Sequence, residues 1–219
     1  MIDLFAKGKY QPINVSFLYE GHEVLQEVAK IQEKWDKSDT DTFINELRDS
    51  MAGYYLGYDL VNVEKHGFDC KRSQNEDVFL EVKSASFSAG SWSATFNDTN
   101  LEKAECFKKD NVNLCLAVWK NASNLLFLVY GNNSKIGEFL EKKVKDFLSG
   151  NGVRSTQTIS ILQLVFEYGL DIVCINKTKE EVKSILTLKS CKFANIPEKQ
   201  LLTLEEYYKK YKIKEKAFV

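Results

Sequence analysis

The stretch Gly67–Ala85, GFDCKRSQNEDVFLEVKSA, places an aspartate after a Gly-Phe step and then, beyond a polar run, a Glu-x-Lys inside an apolar hexamer. In an extended strand the side-chain period is two. Phe79, Glu81 and Lys83 therefore share one face, and Val78, Leu80 and Val82 share the other. Asp69 opens a run that reads as a neighbouring strand, and the eleven residues between it and Glu81 are enough to turn back and pair. A chain that buries charge in its most strand-like segment needs a reason for doing so.

Outward from this stretch, residues 58–96 divide into the short runs YDLVNVE, GFDCKR, DVFLEVKSA and SWSATF, separated by Gly, Asn and Ser clusters, which predict an antiparallel meander. Upstream, Leu18, Val24, Leu25, Val28, Ile31 and Trp35 recur near helical spacing and predict a helix over residues 20–37. A second helix follows, with Ser38, Thr40 and Asp41 as available caps, Phe43, Ile44, Leu47 and Met51 as its apolar face, and an end near Gly53 or Gly57. Glu46 projects from its middle.

Downstream, residues 99–109 return to helix with Asn97 or Thr99 as cap, and VNLCLAVW and NLLFLVYG read as strands, the first continuous enough to be buried on both faces. SKIGEFLEKKVKDFLSG is an amphipathic helix ending at Gly150, NGVRSTQT a polar loop, ISILQLVFEYG either strand or short helix, and LDIVCI a strand. Thr178 with Glu181 and Thr203 with Glu206 form capping boxes that open two last helices, through Leu186 and Tyr211. There is no internal repeat and no low-complexity linker. The expectation is one α/β (α+β) domain over residues 1–219, a mixed central sheet flanked by helices.

Thirty basic and thirty-one acidic residues leave a net charge of −1, so any nucleic-acid contact must come from local patches. The five cysteines are odd in number, form no C-x-x-C and mostly sit in apolar runs, which points to a reducing, cytoplasmic setting. With His22 and His66 as the only histidines, zinc-finger and HNH-type sites lack ligands. His66, before a glycine turn, reads as a turn residue or one near a site, and His22 as structural or exposed. MIDLFAKGKY has no basic-then-apolar signal organisation and LLFLVY is far too short to span a bilayer, so no membrane partner is expected.

An acidic-x-Lys triplet alone has little weight, because roughly four are expected by chance in such a chain. Four occur, at Asp69–Lys71, Glu81–Lys83, Glu141–Lys143 and Glu181–Lys183. The last two fall on predicted helices, where residues two apart face different ways. Glu81 and Lys83 alone converge from a buried strand, and Asp69 is placed to join them. Two carboxylates about 4 Å apart repel by about 4 kcal/mol at an effective dielectric of about 20, so the arrangement calls for a proton or a cation. Oxygen ligands favour Mg2+, held by carboxylates, waters and a substrate phosphate. Lys83 beside it would orient a water or stabilise charge on a phosphorane-like transition state. The competing reading is a cross-strand ion pair on a solvated sheet face.

The helix bearing Glu46, the meander, GFD at Asp69, LEVK at Leu80–Lys83, the helix at 99–109 and the strand VNLCLAVW together resemble the α-β-β-β-α-β core of PD-(D/E)xK nucleases, in particular type II restriction endonucleases, over about residues 40–120. The resemblance implies that Asp69 and Glu81 bind Mg2+, that the Val82 carbonyl completes the metal site, that Lys83 is the catalytic lysine and that Glu46 is the helix acid of such sites. Gly67-Phe68 stands where the family name has a proline. For DNA, Ser84, Ser91, Trp92 and Ser93 fall on a polar run after the lysine, suited to phosphate or groove contact or to a plain hairpin. Arg154, Ser155, Thr156 and Gln157 lie in a loop where the arginine can pair with guanine and the glutamine with adenine, unless the loop is simply solvated. Lys71 and Arg72 flank the site and reach phosphates, and the tail lysines Lys209, Lys210, Lys212, Lys214 and Lys216 do the same or neutralise a helix end. The expected function is a Mg2+-dependent restriction endonuclease that cuts double-stranded DNA at a short palindromic site as a homodimer. A junction-resolving or repair nuclease and a non-catalytic DNA-binding protein are the alternatives.

Overall fold

The computed structural model describes residues 9–35, 42–62, 67–97, 99–151 and 156–213. In chain order, β1 (Lys9–Gln11) leads into two helices, α1 (Val15–Trp35) and α2 (Thr42–Tyr55), and then into β2 (Asp59–Asn62), β3 (Cys70–Ser73) and β4 (Glu76–Ser86). After β5 (Ser93–Phe96) and α3 (Leu101–Cys106) come β6 (Val112–Trp119), β7 (Leu125–Gly131) and α4 (Ser134–Leu148). The chain closes with β8 (Gln157–Ser160), β9 (Asp171–Cys174), α5 (Lys179–Lys189), β10 (Leu201–Leu202) and α6 (Leu204–Tyr211).

The fold is mixed α/β. Its main sheet has the order β1-β2-β3-β4-β6-β7-β9-β10, and β5 and β8 form a separate two-stranded sheet. β2, β3 and β4 pair antiparallel, whereas β4 and β6 run parallel in register from Phe79 opposite Val112 to Ser86 opposite Trp119. A parallel neighbour requires a crossover, and β5 and α3 lie within it. Apolar layers cover both faces of the centre. Phe79, Leu114, Leu116 and Phe127 pack on one side with Ala104 and Phe107 from the α3 segment, while Leu80, Val82, Cys115 and Leu128 pack on the other with Ala52 of α2 and Tyr207 of α6. That double burial is why β6 and β7 read as unbroken apolar runs.

Local signals hold at both capping boxes, where the Thr178 and Thr203 hydroxyls accept from the Glu181 and Glu206 amides and the glutamates return the bond. Three expectations need correction. SWSATF is no fourth strand of the meander, because β5 leaves it to pair antiparallel with β8, and Ala94 and Phe96 enter the core there. The first helix starts earlier, at Val15, where the Asn14 side chain accepts from the Phe17 amide at 2.8 Å. α3 is capped by Asn100 and ends at Cys106. ISILQLVFEYG, open between strand and short helix, contains both, the end of β8 and a π-helical turn over Gln163–Glu167.

Gly53 fixes how closely α2 approaches the sheet. A Cβ there would lie 2.7 Å from the Cys70 sulfur, so only glycine lets the helix rest directly on the start of β3. Gly53→Val is therefore expected to lower stability by about 1–3 kcal/mol through overpacking. A urea midpoint equal to that of the parent protein would refute this account. Among the described residues no helix is long and apolar enough to cross a membrane.

Candidate functional site

The site lies where β3 parts from β4. β3 pairs with β4 as far as Cys70 opposite Leu80, and on that edge of β4 none of the described strands continues beyond that point. Phe68 is buried against Phe79 and Phe107 and pins the segment leading into β3. The Asp69 carbonyl accepts from the Val61 amide of β2 at 3.0 Å. With its backbone so fixed, Asp69 extends its carboxylate across the gap, and Oδ2 accepts from the Val82 amide at 2.7 Å. The carboxylate thus takes a strand donor that a longer β3 would have taken, and lands between Glu81 and Lys83. A residue's N–H and C=O point to the same side of an extended strand, so the Val82 carbonyl also faces Asp69.

Glu81 is 1 % exposed. Its Oε1 accepts from Lys83 Nζ and from Lys103 Nζ, each at 2.6 Å, while Oε2 is buried without a hydrogen-bond partner. Lys103 comes from α3, whose start is set by Asn100, the side chain of which accepts from the Lys103 amide at 2.7 Å. The two ammonium groups also lie against aromatic rings, Lys83 5.5 Å from the Phe96 centroid and Lys103 5.8 Å from that of Phe68. A salt bridge on a solvated face is excluded by the burial of Glu81.

Charge is concentrated here and incompletely balanced. Burial, and then the Glu81 charge, push the Asp69 carboxyl up to about 6 against the opposing pull of Lys83. Asp49 of α2 belongs to the same cluster: burial, then Asp69, hold it well above the usual carboxylate range, with Glu81 adding to the effect and Lys83 and Arg48 opposing it. For Glu81, burial acts upward but the Lys103 and Lys83 ammoniums outweigh it, and the carboxyl is lowered. For Lys83, burial acts downward, yet Glu81 and Asp69 prevail and raise it, so it is an ammonium at neutral pH. Two acids resist ionisation and a third keeps a bare buried oxygen. A divalent cation among them would relieve both.

Among the described residues no three His, Cys, Asp or Glu side chains are grouped so as to hold a metal ion by themselves. The donors nevertheless fit Mg2+, which binds through one or two carboxylates and keeps waters and phosphate oxygens for its remaining positions. Asp69 and Glu81 are the side chains that would hold it.

Other candidate residues fare unevenly. Trp92 is 1 % exposed and packs between Phe87 and Phe127, with its indole N–H donated to the Phe87 carbonyl at 3.1 Å, so it is a core residue and not a groove contact. Gln157 is buried at the start of β8 opposite Phe96, which removes it from any base-reading loop. Arg72 turns inward, 5.1 Å from the Tyr58 ring, and donates to the Tyr58 and Tyr130 hydroxyls at 3.1 and 3.3 Å. Lys71 pairs with Asp77 at 2.9 Å beside the Phe79 ring. Ser84, Ser91 and Thr156 are exposed and Ser93 half-buried. Arg154, Ser155, His66, Lys214, Lys216 and the side chain of Glu46 lie outside the described residues.

Asp49 and Lys103 are the additions that the structure makes. Asp49 shares a helical stripe with Ala52, Gly53 and Leu56, three, four and seven residues on, and an acid heading such an apolar stripe was a readable signal. Lys103 lies four residues before the buried Phe107 and next to buried Ala104. Comparison with known proteins returns no matching family model, no matching curated protein and no matching solved structure.

Proposed function

We propose that the protein is a Mg2+-dependent nuclease that hydrolyses phosphodiester bonds of double-stranded DNA. The observation that carries this reading is the Asp69 carboxylate held on the Val82 amide, between Glu81 and Lys83. That contact brings two oxygen ligands and a fixed positive charge to one point of a sheet edge. The finer reading, a homodimeric type II restriction endonuclease cutting a short palindromic site, rests on the sequence resemblance; a two-fold dimer would match the two-fold symmetry of such a site.

In this reading a phosphate oxygen of the scissile bond sits beside Asp69 and Glu81, water attacks phosphorus and gives up a proton to solvent, and the P–O bond to the sugar oxygen breaks as that oxygen takes a proton from solvent. Bound Mg2+ supplies Lewis-acid activation and a lowered water pKa. Lys83 is an ammonium, so it acts as a fixed charge and hydrogen-bond donor for the phosphorane oxygens and does not serve as a base. Lys103 pairs with the same Glu81 oxygen as Lys83 and keeps the carboxylate ionised.

Purified protein incubated with plasmid and phage DNA is expected to give discrete fragments with Mg2+ and none with chelator. Cleavage confined to branched DNA would instead mark a junction-resolving enzyme. Intact DNA of every form, with Mg2+ or Mn2+, would overturn the nuclease reading. A pH dependence accompanies it. Below a pH of about 6 the Asp69 carboxyl carries a proton that a cation must displace. Cation affinity should thus fall by up to about tenfold per unit as pH drops below that value and level off above it. Mn2+ titrations at constant ionic strength between pH 5 and about 8 measure it, and a flat profile would remove Asp69 from the ligand set.

A further inference from the structure

The carboxylate of Glu81 has no open acceptor for a cation. An ionised carboxylate offers about four acceptor positions, two on each oxygen. On Oε1 the ammoniums of Lys83 and Lys103 fill both, each at 2.6 Å, and Oε2 is buried. The cluster thereby holds its own counter-ions, two lysines against Asp69 and Glu81, with Asp49 as a third acid. A divalent cation beside the two lysines makes four positive charges against at most three negative ones. Where Glu81 is 1 % exposed, water screens such an excess poorly, and an anion is needed to balance it. Under the nuclease reading that anion is a phosphodiester of DNA.

The surroundings of the two lysines decide which of them answers the change. Lys83 stands in the field of three carboxylates, Glu81, Asp69 and Asp49. Lys103 arrives from α3, and among the described residues Glu81 is the one carboxylate within ion-pair distance of its ammonium. Its side chain is 19 % exposed, so solvent and a docking strand can reach it. The backbone below it is fixed, because the Lys103 amide is donated to the Asn100 side chain at 2.7 Å. A compact charge on a flexible four-carbon stem can exchange one oxyanion for another by side-chain torsions alone.

We propose that Lys103 is a phosphate-binding residue that neutralises Glu81 in the metal-free protein and, when a cation takes its place there, turns to a phosphate of the bound DNA. The assignment rests on the nuclease reading and adds a DNA contact to it. Lys103 therefore opposes the cation in the free protein and assists DNA binding only once the cation is bound.

Mn2+ titrations of the full-length protein without DNA, read by electron paramagnetic resonance, test the first half. Lys103→Met and Lys103→Gln should each bind Mn2+ at least about tenfold tighter than the parent, because one of two repelling charges is gone, whereas Lys103→Arg should bind as the parent does. Removing a lysine that merely braces Glu81 would leave Mn2+ affinity unchanged or weaker. Fluorescence anisotropy of a labelled DNA duplex over a range of salt, in Ca2+ and in chelator, tests the second half. In Ca2+ the slope of log K against log salt should be shallower by about 0.9 in Lys103→Met, the loss of one phosphate contact. In chelator, where Lys103 is tied to Glu81, the two slopes should agree. Mn2+ affinity that does not tighten in the neutral variants, or slopes that agree in Ca2+ as well, overturn the assignment while Asp69-dependent Mn2+ binding keeps the nuclease reading in place. Mn2+ that binds none of these proteins, or binds Asp69→Asn as tightly as the parent, overturns both.

Discussion

Asp69→Asn is expected, on the proposed nuclease function, to abolish DNA cleavage, by about 10³-fold or more, while making the metal-free protein more stable at neutral pH. Loss of activity follows from loss of a charged ligand. The gain in stability follows from what the carboxylate endures without a cation. Its pKa is raised from 3.8 to about 6, so between those values the native state binds more protons than the unfolded chain. Stability therefore falls as pH rises through that window, and the deficit persists above it. The amide keeps an oxygen for the Val82 amide and removes the repulsion from Glu81. Thermal unfolding in chelator at pH 5 and about 8 should show the parent protein losing stability with pH relative to the variant. A variant that is equally destabilised at both would show that Asp69 is a structural acid.

The second large effect is a failure of additivity at Glu81. Both Lys83 and Lys103 donate to Oε1 at 2.6 Å, so either alone still pairs the carboxylate. Lys83→Met or Lys103→Met is expected to cost about 1–2 kcal/mol, but the double variant about 1–3 kcal/mol beyond the sum of the two, because only then is a buried charge left unpaired. The deficit should shrink on acidification, since an unpaired Glu81 takes up a proton. Activity separates the roles. Lys83→Met should reduce cleavage by at least about 100-fold, as loss of an oriented charge at the reacting phosphate does, and Lys103→Met by less. Strictly additive losses in urea unfolding would contradict the shared-carboxylate geometry.

How much of this was legible beforehand depends on period and partner. The period of two put Glu81 and Lys83 on one face, and the runs in residues 58–86 yielded the three meander strands, because a strand face is fixed by its own sequence. A helix offers its residues all round, and which acid or base meets the sheet depends on where the helix docks. Asp49 reaches the cluster because Gly53 rests on Cys70, and Lys103 reaches Glu81 because Asn100 sets the start of α3. Neither contact is local. Trp92, Gln157 and Arg72 were misplaced for a related reason: amphipathic side chains tell little of which end faces water, and the pairing of β5 with β8 buried the first two.

The carboxylate bonded to the Val82 amide has one further effect. β4 continues to Ser86 with β6 on one side and no described strand on the other. An open edge of this kind is a template on which a stray chain can zip, and aggregation begins at such places. Asp69 occupies the first free rung and sets a negative charge beside it, so the residue proposed to hold the metal also guards the sheet against recruiting a foreign strand.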